Sequence, residues 1–250
     1  MDIDNSWLME AFGHKLDMWV SLAHWAAPSA SVESDAQTAA PESEARARNS
    51  IRSAASQLFA FYLEKRLAIA RASMDQEEHE TFYPDDVFED ASQLEDHVEA
   101  VAFLGRANVE QGVSALLHLF QNESGRLQQA TAAQWSQQAA SEAGRASEEL
   151  YWLVMITASF LADPFEGEQP TIPAVILQLS ERYCVSRGEA AAASANEDPI
   201  VKLSSCVSQL VQFQADRVSA SGGADERISP LLCGSALKAL ARWAHSYLTQ

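Results

Sequence analysis

Apolar residues recur at steps of three and four along nearly the whole chain, the spacing that places them on one face of an α-helix. Alternating runs of β-branched residues, which are typical of half-buried strands, are absent. The composition is rich in Ala, Ser, Gln and Leu and poor in glycine (10) and proline (8). The pattern therefore predicts an all-α fold.

Eight helical segments follow from this spacing, with ends marked by capping residues and prolines. Asp198-Pro199 and Ser229-Pro230 each place a capping side chain before a proline, as at the first turn of many helices. The stretch 128–144 is Gln- and Ala-rich, and whether it is helix or linker stays open at this point. The predicted helices are Trp7–Trp25, Ala45–Met74, Ser92–Arg106, Val109–Gln138, Ser147–Leu161, Pro173–Arg187, Pro199–Ser219 and Pro230–Leu248.

Neighbouring helices joined by short loops are expected to pack as antiparallel hairpins. Repeat lengths of roughly 40–60 residues suggest a HEAT/armadillo-like helical-hairpin solenoid, with a closed helical bundle as the competing architecture. We predict that residues 1–44 form an N-terminal helix followed by a flexible Ala/Ser/Pro-rich linker. Residues 45–250 would then form the helical repeats, with an acidic loop at 75–90.

The charge is strongly acidic. Lys and Arg number 17 against 35 Asp and Glu, a formal net charge of −18. This argues against nucleic-acid binding through a broad basic face and favours a basic protein partner. Eleven of the acids fall within residues 75–99, and no Lys or Arg lies between Arg71 and Arg106. That run is either a solvated loop or a surface that steers a basic partner.

Cysteine usage and hydropathy bear on the compartment. The three cysteines form no CxxC pair, so reduced thiols in the cytoplasm or nucleus are favoured over a zinc ribbon or a disulfide framework. The N-terminus lacks the pattern of a signal peptide. The most apolar stretch, Leu150–Ala162, is too short to span a bilayer. We expect a soluble intracellular protein without membrane insertion.

Motifs for catalysis, metal binding or cofactor binding are absent from the sequence. It contains no HExxH, no GxSxG and no glycine-rich phosphate loop, and we expect no catalytic residue, no cofactor and no metal site. The run Glu77-Glu78-His79-Glu80 offers ligand-type side chains, but a flexible acidic run favours solvated groups. Most of the six tryptophans lie on apolar helix stripes, and Trp135 is expected to be exposed.

A second, smaller acidic group is a better candidate for binding. Asp163, Glu166 and Glu168 follow a densely apolar helix, on a loop that carries three prolines and a glycine. A loop held by prolines loses less conformational entropy on binding than a flexible run does. We take these three carboxylates as a candidate partner surface; the alternative is a turn with exposed acids.

Several segments carry a family resemblance. The most specific is Glu149–Asp163 (ELYWLVMITASFLAD), followed by Gly167-Glu168, Pro170 and Ile172-Pro173. The terminal segment Leu240–Leu248 (LARWAHSYL) and, more loosely, Phe88–Arg106 and Ala55–Leu63 agree with it in order and spacing. In these segments the chain resembles the middle of the exportin-4 family, karyopherins of the importin-β superfamily. The resemblance covers about Ile51 to Leu248, and residues 1–50 resemble the family weakly.

The resemblance implies a HEAT-repeat nuclear export receptor, present in the nucleus and the cytoplasm, that binds protein cargo with Ran-GTP. The family's cargoes include hypusinated translation initiation factor 5A and Smad transcription factors, and nuclear pore proteins are further partners. Ran binding stays open, because the N-terminal repeats that karyopherins use for much of that contact have no match here. On this basis Asp163, Glu166 and Glu168 become candidate cargo-binding residues. A generic α-helical-repeat adaptor for a basic protein is the alternative function, and an enzyme is third.

Overall fold

The helices account for most of the part of the chain that the structure describes. This computed structural model describes residues 6–27, 42–74, 91–163, 171–185, 197–222, 225 and 227–248. Residues 28–41 of the predicted linker and the predicted acidic loop at 75–90 lie outside these residues, whereas residues 42–44, predicted as the end of the linker, are helical. The eight helices of the described part are α1 (Ser6–Ala26), α2 (Glu42–Ser73), α3 (Ala91–Arg106), α4 (Val109–Ala132), α5 (Gln137–Leu161), α6 (Ala174–Val185), α7 (Pro199–Ser221) and α8 (Pro230–Leu248).

Three helical hairpins stack to form the body of the molecule. Hairpin I is α2 with α3, hairpin II is α4 with α5, and hairpin III is α7 with α8. Between hairpins, α2, α4 and α7 pack in one layer, and α3, α5 and α8 pack in the other. Helix α1 packs against hairpin I, and the short α6 packs against α4 and α7. This two-layer stack confirms the predicted all-α helical-hairpin solenoid.

Helix α5 forms the centre of the stack, because it contacts α2, α3, α4 and α8. Sixteen of its 25 residues are buried, and Trp152 and Phe160 are both fully inaccessible. Each fully buried large apolar side chain contributes roughly 1.5–3 kcal/mol of transfer free energy. The densely apolar stretch 147–161, which the sequence predicted as a helix, therefore supplies the core that joins the hairpins.

The boundary between α4 and α5 differs from the prediction. The sequence predicted helix through Gln138 and a new start at Ser147, whereas α4 ends at Ala132 and α5 begins at Gln137. Ser136 explains the start, since its hydroxyl accepts a hydrogen bond from the Ala139 amide at 3.1 Å. The stretch 128–144 is thus mostly helix with a short break. Trp135 lies in that break and is exposed, as predicted.

The two predicted cap-plus-proline starts are confirmed. Asp198 accepts a hydrogen bond from the Ile200 amide at 2.8 Å, and Ser229 accepts one from the Leu232 amide at 3.2 Å. These side chains satisfy first-turn amides that have no acceptor within the helix. Gly222 follows the last residue of α7 and caps its carboxyl end. Its φ of 60° lies in the left-handed region, which glycine adopts at low cost.

Hairpins II and III are joined by an arginine that caps a helix end. Arg227 donates to the carbonyl oxygens of Thr131 (3.0 Å) and Ala133 (3.2 Å), at the carboxyl end of α4. Asp225 holds this arginine through its carboxylate at 2.9 Å and also accepts from Arg217 at 3.1 Å. The hydrogen bonds from Arg227, with a smaller contribution from Arg217, lower the pKa of Asp225 to about 2.

Helices α3 and α4 approach each other at two glycines. A Cβ atom on Gly112 would lie 2.4 Å from the carbonyl oxygen of Gly105 and 2.9 Å from Phe160. A Cβ atom on Gly105 would lie 2.8 Å from the ring of Phe59 in α2. A larger residue at Gly112 would push α3 and α4 apart, and one at Gly105 would displace the Phe59 ring of α2.

Candidate functional site

The carboxyl end of α5 is fixed by side chains from the next hairpin. Tyr247 donates to the carbonyl oxygen of Leu161 at 3.0 Å, and Arg242 donates to that of Ala162 at 2.7 Å. The last carbonyls of a helix have no partner within it, so these donors satisfy groups that the helix cannot. Burial raises the pKa of Tyr247, and the nearby charge of Asp198 adds to the effect.

Asp163, the first of the three predicted site residues, comes directly after this anchored end. Its carboxylate accepts a hydrogen bond from Arg106 of α3 at 2.5 Å, and its backbone amide donates to Thr171 at 2.9 Å. The Arg106 side chain is 8% exposed, whereas that of Asp163 is 38% exposed. Asp163 therefore joins α5 to α3 while one side of its carboxylate reaches solvent.

Glu166 and Glu168 lie outside the described residues, so the three predicted carboxylates are not seen together. The ends of their segment are defined, because the backbone hydrogen bond between Asp163 and Thr171 closes it. Their role stays a prediction at this point.

A groove of about 620 Å³ lies beside Asp163. It is bounded by the carboxyl end of α1, the first third of α2, the turn between α3 and α4, and one side of α6 from its amino end to Arg182. Five charged residues line it: Arg52, Arg106, Glu110, Asp163 and Arg182. The volume falls within the range of about 300–1,000 Å³ that is usual for ligand sites.

The arginines of the groove differ in how they are held. Arg52 donates through Nε to the carbonyl oxygen of Ala26 at 2.8 Å, which joins α2 to the end of α1. Arg182 of α6 pairs with Glu110 of α4 at 2.9 Å, and both side chains are 61% exposed. An exposed pair of this kind contributes little to stability, about 0–1 kcal/mol, and opens readily.

A buried charge cluster lies between hairpins I and II. Glu149 is fully buried and accepts hydrogen bonds at 2.5 Å from Arg71 of α2 and from Arg126 of α4. Arg126 also pairs with Glu123 and Glu142. Burial and the neighbouring Glu123 together raise the pKa of Glu149 to about 6, and Arg71 and Arg126 oppose the shift. Every charge here has a partner, so the cluster joins helices instead of offering an open site.

A second, partly buried polar group lies nearby. The hydroxyl of Tyr62 lies 2.8 Å from Nε2 of His97, and the guanidinium of Arg66 lies 3.3 Å from the ring centre of Trp152. Burial, with the charge of Arg66 as a second cause, lowers the pKa of His97 to about 4. Burial raises the pKa of Tyr62 to about 12. Tyr62 and His97 are therefore neutral at physiological pH and form a packed, hydrogen-bonded pair.

The predicted acidic run at 75–99 is described only in part. Glu95, Asp96 and Glu99 lie on α3, and Glu99 is 3.8 Å from Arg242. Burial raises the pKa of Glu99, an effect that Arg242 opposes. This acid therefore contacts hairpin III. The first eight acids of the run, and the run around His79, lie outside the described residues.

Within the described ranges, no group of three or more His, Cys, Asp or Glu side chains is placed to hold a metal ion. Cys206 and Cys233 are free thiols, and burial raises the pKa of both. None of the described helices combines the length and the apolar character that a membrane span needs.

The sequence did not single out the arginines of the groove. Arg52, Arg106 and Arg182 come from α2, α3 and α6 and are separated by more than 50 residues each. No local motif links them, and only the packing of the helices brings them to one groove. A scan for charged residues at helix ends would have found Arg106 and Arg182, but not their common location.

Comparison with known families gives one match to the whole chain. The protein-family model described as Exportin-4 matches residues 1–250. The match includes residues 1–50, for which the sequence motifs indicated little resemblance. The matched family consists of transport receptors, which are not a class of enzyme. With its stacked helical hairpins, the chain belongs to the exportin-4 family of nuclear export receptors.

Proposed function

We propose that this chain, as a nuclear export receptor or a segment of one, binds protein cargo together with Ran-GTP. The observation that carries the proposal is the match of the exportin-4 family model to all 250 residues. The stacked hairpins support it, because such a solenoid offers an extended binding surface. On this proposal the chain shuttles between nucleus and cytoplasm and contacts nuclear pore proteins on the way.

The proposed cargo surface is the acidic group Asp163, Glu166 and Glu168. Asp163 keeps part of its carboxylate in solvent while Arg106 holds it, which gives the surface one fixed charge. The backbone hydrogen bond from Asp163 to Thr171 brings the two ends of this loop together, and Glu166 and Glu168 lie three and five residues after Asp163 in the sequence. Grouped carboxylates suit a basic, polyamine-like side chain such as the hypusine of translation initiation factor 5A.

We also propose the division of the chain predicted from its composition. The N-terminal helix and linker, predicted as residues 1–44, would end where α2 begins at Glu42, and the helical repeats, predicted as residues 45–250, would carry an acidic loop at 75–90. The acids of that loop would add a long-range attraction for a basic cargo, and this attraction would weaken with salt. A Smad-like cargo would use the same repeats without the hypusine contact.

The test is capture of cargo by the immobilised chain. Hypusinated and unmodified translation initiation factor 5A are compared, with and without GTP-loaded Ran, at two salt concentrations. We expect hypusine-selective, salt-sensitive capture that Ran-GTP increases. Capture that does not respond to Ran-GTP or hypusine would instead favour an adaptor for basic proteins.

The carboxylates are tested by charge-neutral variants. Glu166→Gln with Glu168→Gln removes two charges from the proposed surface. Glu64→Gln with Asp216→Asn removes two charges from exposed sites on α2 and α7 and is the matched control. We expect the first pair to weaken capture and the second to leave it unchanged. Equal capture by both pairs would rule out a role for the loop in cargo contact.

A further inference from the structure

The groove beside Asp163 has a charge balance opposite to that of the chain. Three arginines and two acids line it, whereas the whole chain carries 17 basic and 35 acidic residues. Of the three arginines, Arg106 is already bound to Asp163, and Arg182 shares an exposed pair with Glu110. The guanidinium groups of Arg52 and Arg182 are therefore the ones from which a ligand could accept hydrogen bonds at little cost.

Two helix amino ends add to this positive character. Asn108, Val109 and Glu110 begin α4, and Ala174 and Val175 begin α6; all five residues line the groove. The first-turn amides of a helix have no acceptor within the helix, and its dipole makes this end positive. In α4 the Gln111 amide already donates to the Asn108 side chain at 3.4 Å, so a ligand would use the other amides of that turn. Anionic groups are favoured where two such ends meet arginine side chains.

The rest of the lining is apolar. Ala23 at the end of α1, Phe103 of α3 and Pro173 before α6 contribute surface without charge. The groove therefore combines donors for an anion with a surface for an apolar side chain. A volume of about 620 Å³ accommodates a few side chains of an extended segment and not a folded domain.

We propose that this groove binds a short acidic peptide segment of a partner protein, in which Asp or Glu alternates with apolar residues. Its carboxylates would contact Arg52, Arg182 and the amino ends of α4 and α6, while an apolar side chain packs on Phe103. Nucleic acid is disfavoured because the chain as a whole is strongly negative. Asp163 borders this groove and also belongs to the proposed cargo surface, but the peptide would contact other groups, so the two proposals are tested by different variants.

The experiment is fluorescence polarisation of a labelled nine-residue peptide of alternating Glu and Leu, titrated with the whole chain. Peptides with Lys or Gln in place of Glu are the comparison probes. Arg182→Glu reverses one charge at the groove. Arg46→Glu is the matched control, because Arg46 also pairs with a single exposed glutamate but lies on α2 outside the groove.

We expect the Glu/Leu peptide to bind, with an affinity that falls as salt rises, and the Lys/Leu and Gln/Leu peptides to bind at least about tenfold more weakly. Arg182→Glu should weaken binding by about tenfold, and Arg46→Glu by less than about twofold. Glu110→Gln should strengthen it, because Arg182 then has no competing carboxylate.

Three results would overturn the proposal. One is equal weakening by the Arg182 and Arg46 variants, which would indicate a general charge effect. Another is a preference for the Lys/Leu peptide, or no binding of the acidic peptide by a chain that circular dichroism shows to be helical. The third is a dimer, seen by sedimentation, that Arg182→Glu dissociates; the groove would then be occupied by a second copy.

Discussion

Replacing Gly112 with Ala should destabilise the protein, although alanine is the better helix former. The added Cβ would lie 2.4 Å from the Gly105 carbonyl oxygen and 2.9 Å from Phe160. Alanine in a helix interior gains about 0.5–1 kcal/mol over glycine. Forcing a methyl group against backbone costs typically about 1–3 kcal/mol. Since a backbone oxygen cannot rotate away, we take the upper part of that range and expect a net loss of about 2 kcal/mol.

Gly125→Ala is the matched control, because Gly125 lies on the same helix and an added Cβ meets nothing within 4 Å. This variant should be stabilised by about 0.5–1 kcal/mol, because alanine has the higher helix propensity and its methyl group meets no neighbour. At about 2–4 °C per kcal/mol for a chain of this size, Tm should fall by about 4–8 °C for Gly112→Ala and rise by about 1–4 °C for Gly125→Ala. Thermal unfolding followed by circular dichroism measures both. A Gly112 variant at or above the wild-type Tm would refute the packing argument.

Three further predictions concern charged groups. Asp163→Ala should lower the free energy of unfolding by about 1–3 kcal/mol, because it leaves the buried Arg106 without its carboxylate partner. Urea unfolding measures this free energy, and a loss under about 0.5 kcal/mol would contradict the prediction. Arg227→Ala should remove the cap of α4 at a cost of about 1–2 kcal/mol and speed amide exchange in its last turn, with no change expected in α1. The pKa of Glu149 is raised from 4.5 to about 6 in the folded state, so the protonated form is favoured by folding. This contribution to the free energy of unfolding is fully present below about pH 4.5 and is lost as the pH rises through about 6. Glu149→Gln should flatten the stability curve between those pH values, and an unchanged slope in urea titrations would refute the assignment.

Most helix boundaries could be predicted because their signals are local. Asp198-Pro199 and Ser229-Pro230 mark the starts of α7 and α8, and the side-chain caps form as expected. The densely apolar run around Trp152 is consistent with the central place of α5, since a helix buried on all sides requires apolar residues on all sides. Periodicity and capping act within a few residues, and a sequence displays them directly.

The break between α4 and α5 and the composition of the groove could not be predicted in the same way. The end of α4 is capped by Arg227, which lies 96 residues from Thr131. The sequence did not predict that Glu149 is buried and paired, because its partners Arg71 and Arg126 are 78 and 23 residues away along the chain. Contacts of this range follow from helix packing, and no local pattern encodes them.

The cap that Arg227 provides also has a consequence for the order in which the chain folds as it is made. Thr131 leaves the ribosome 96 residues before its capping partner. At about 5–20 residues per second, the carboxyl end of α4 waits roughly 5–20 s for that donor. Hairpin II is therefore completed only when the segment after α7 arrives, so the second and third hairpins reach their final stability together.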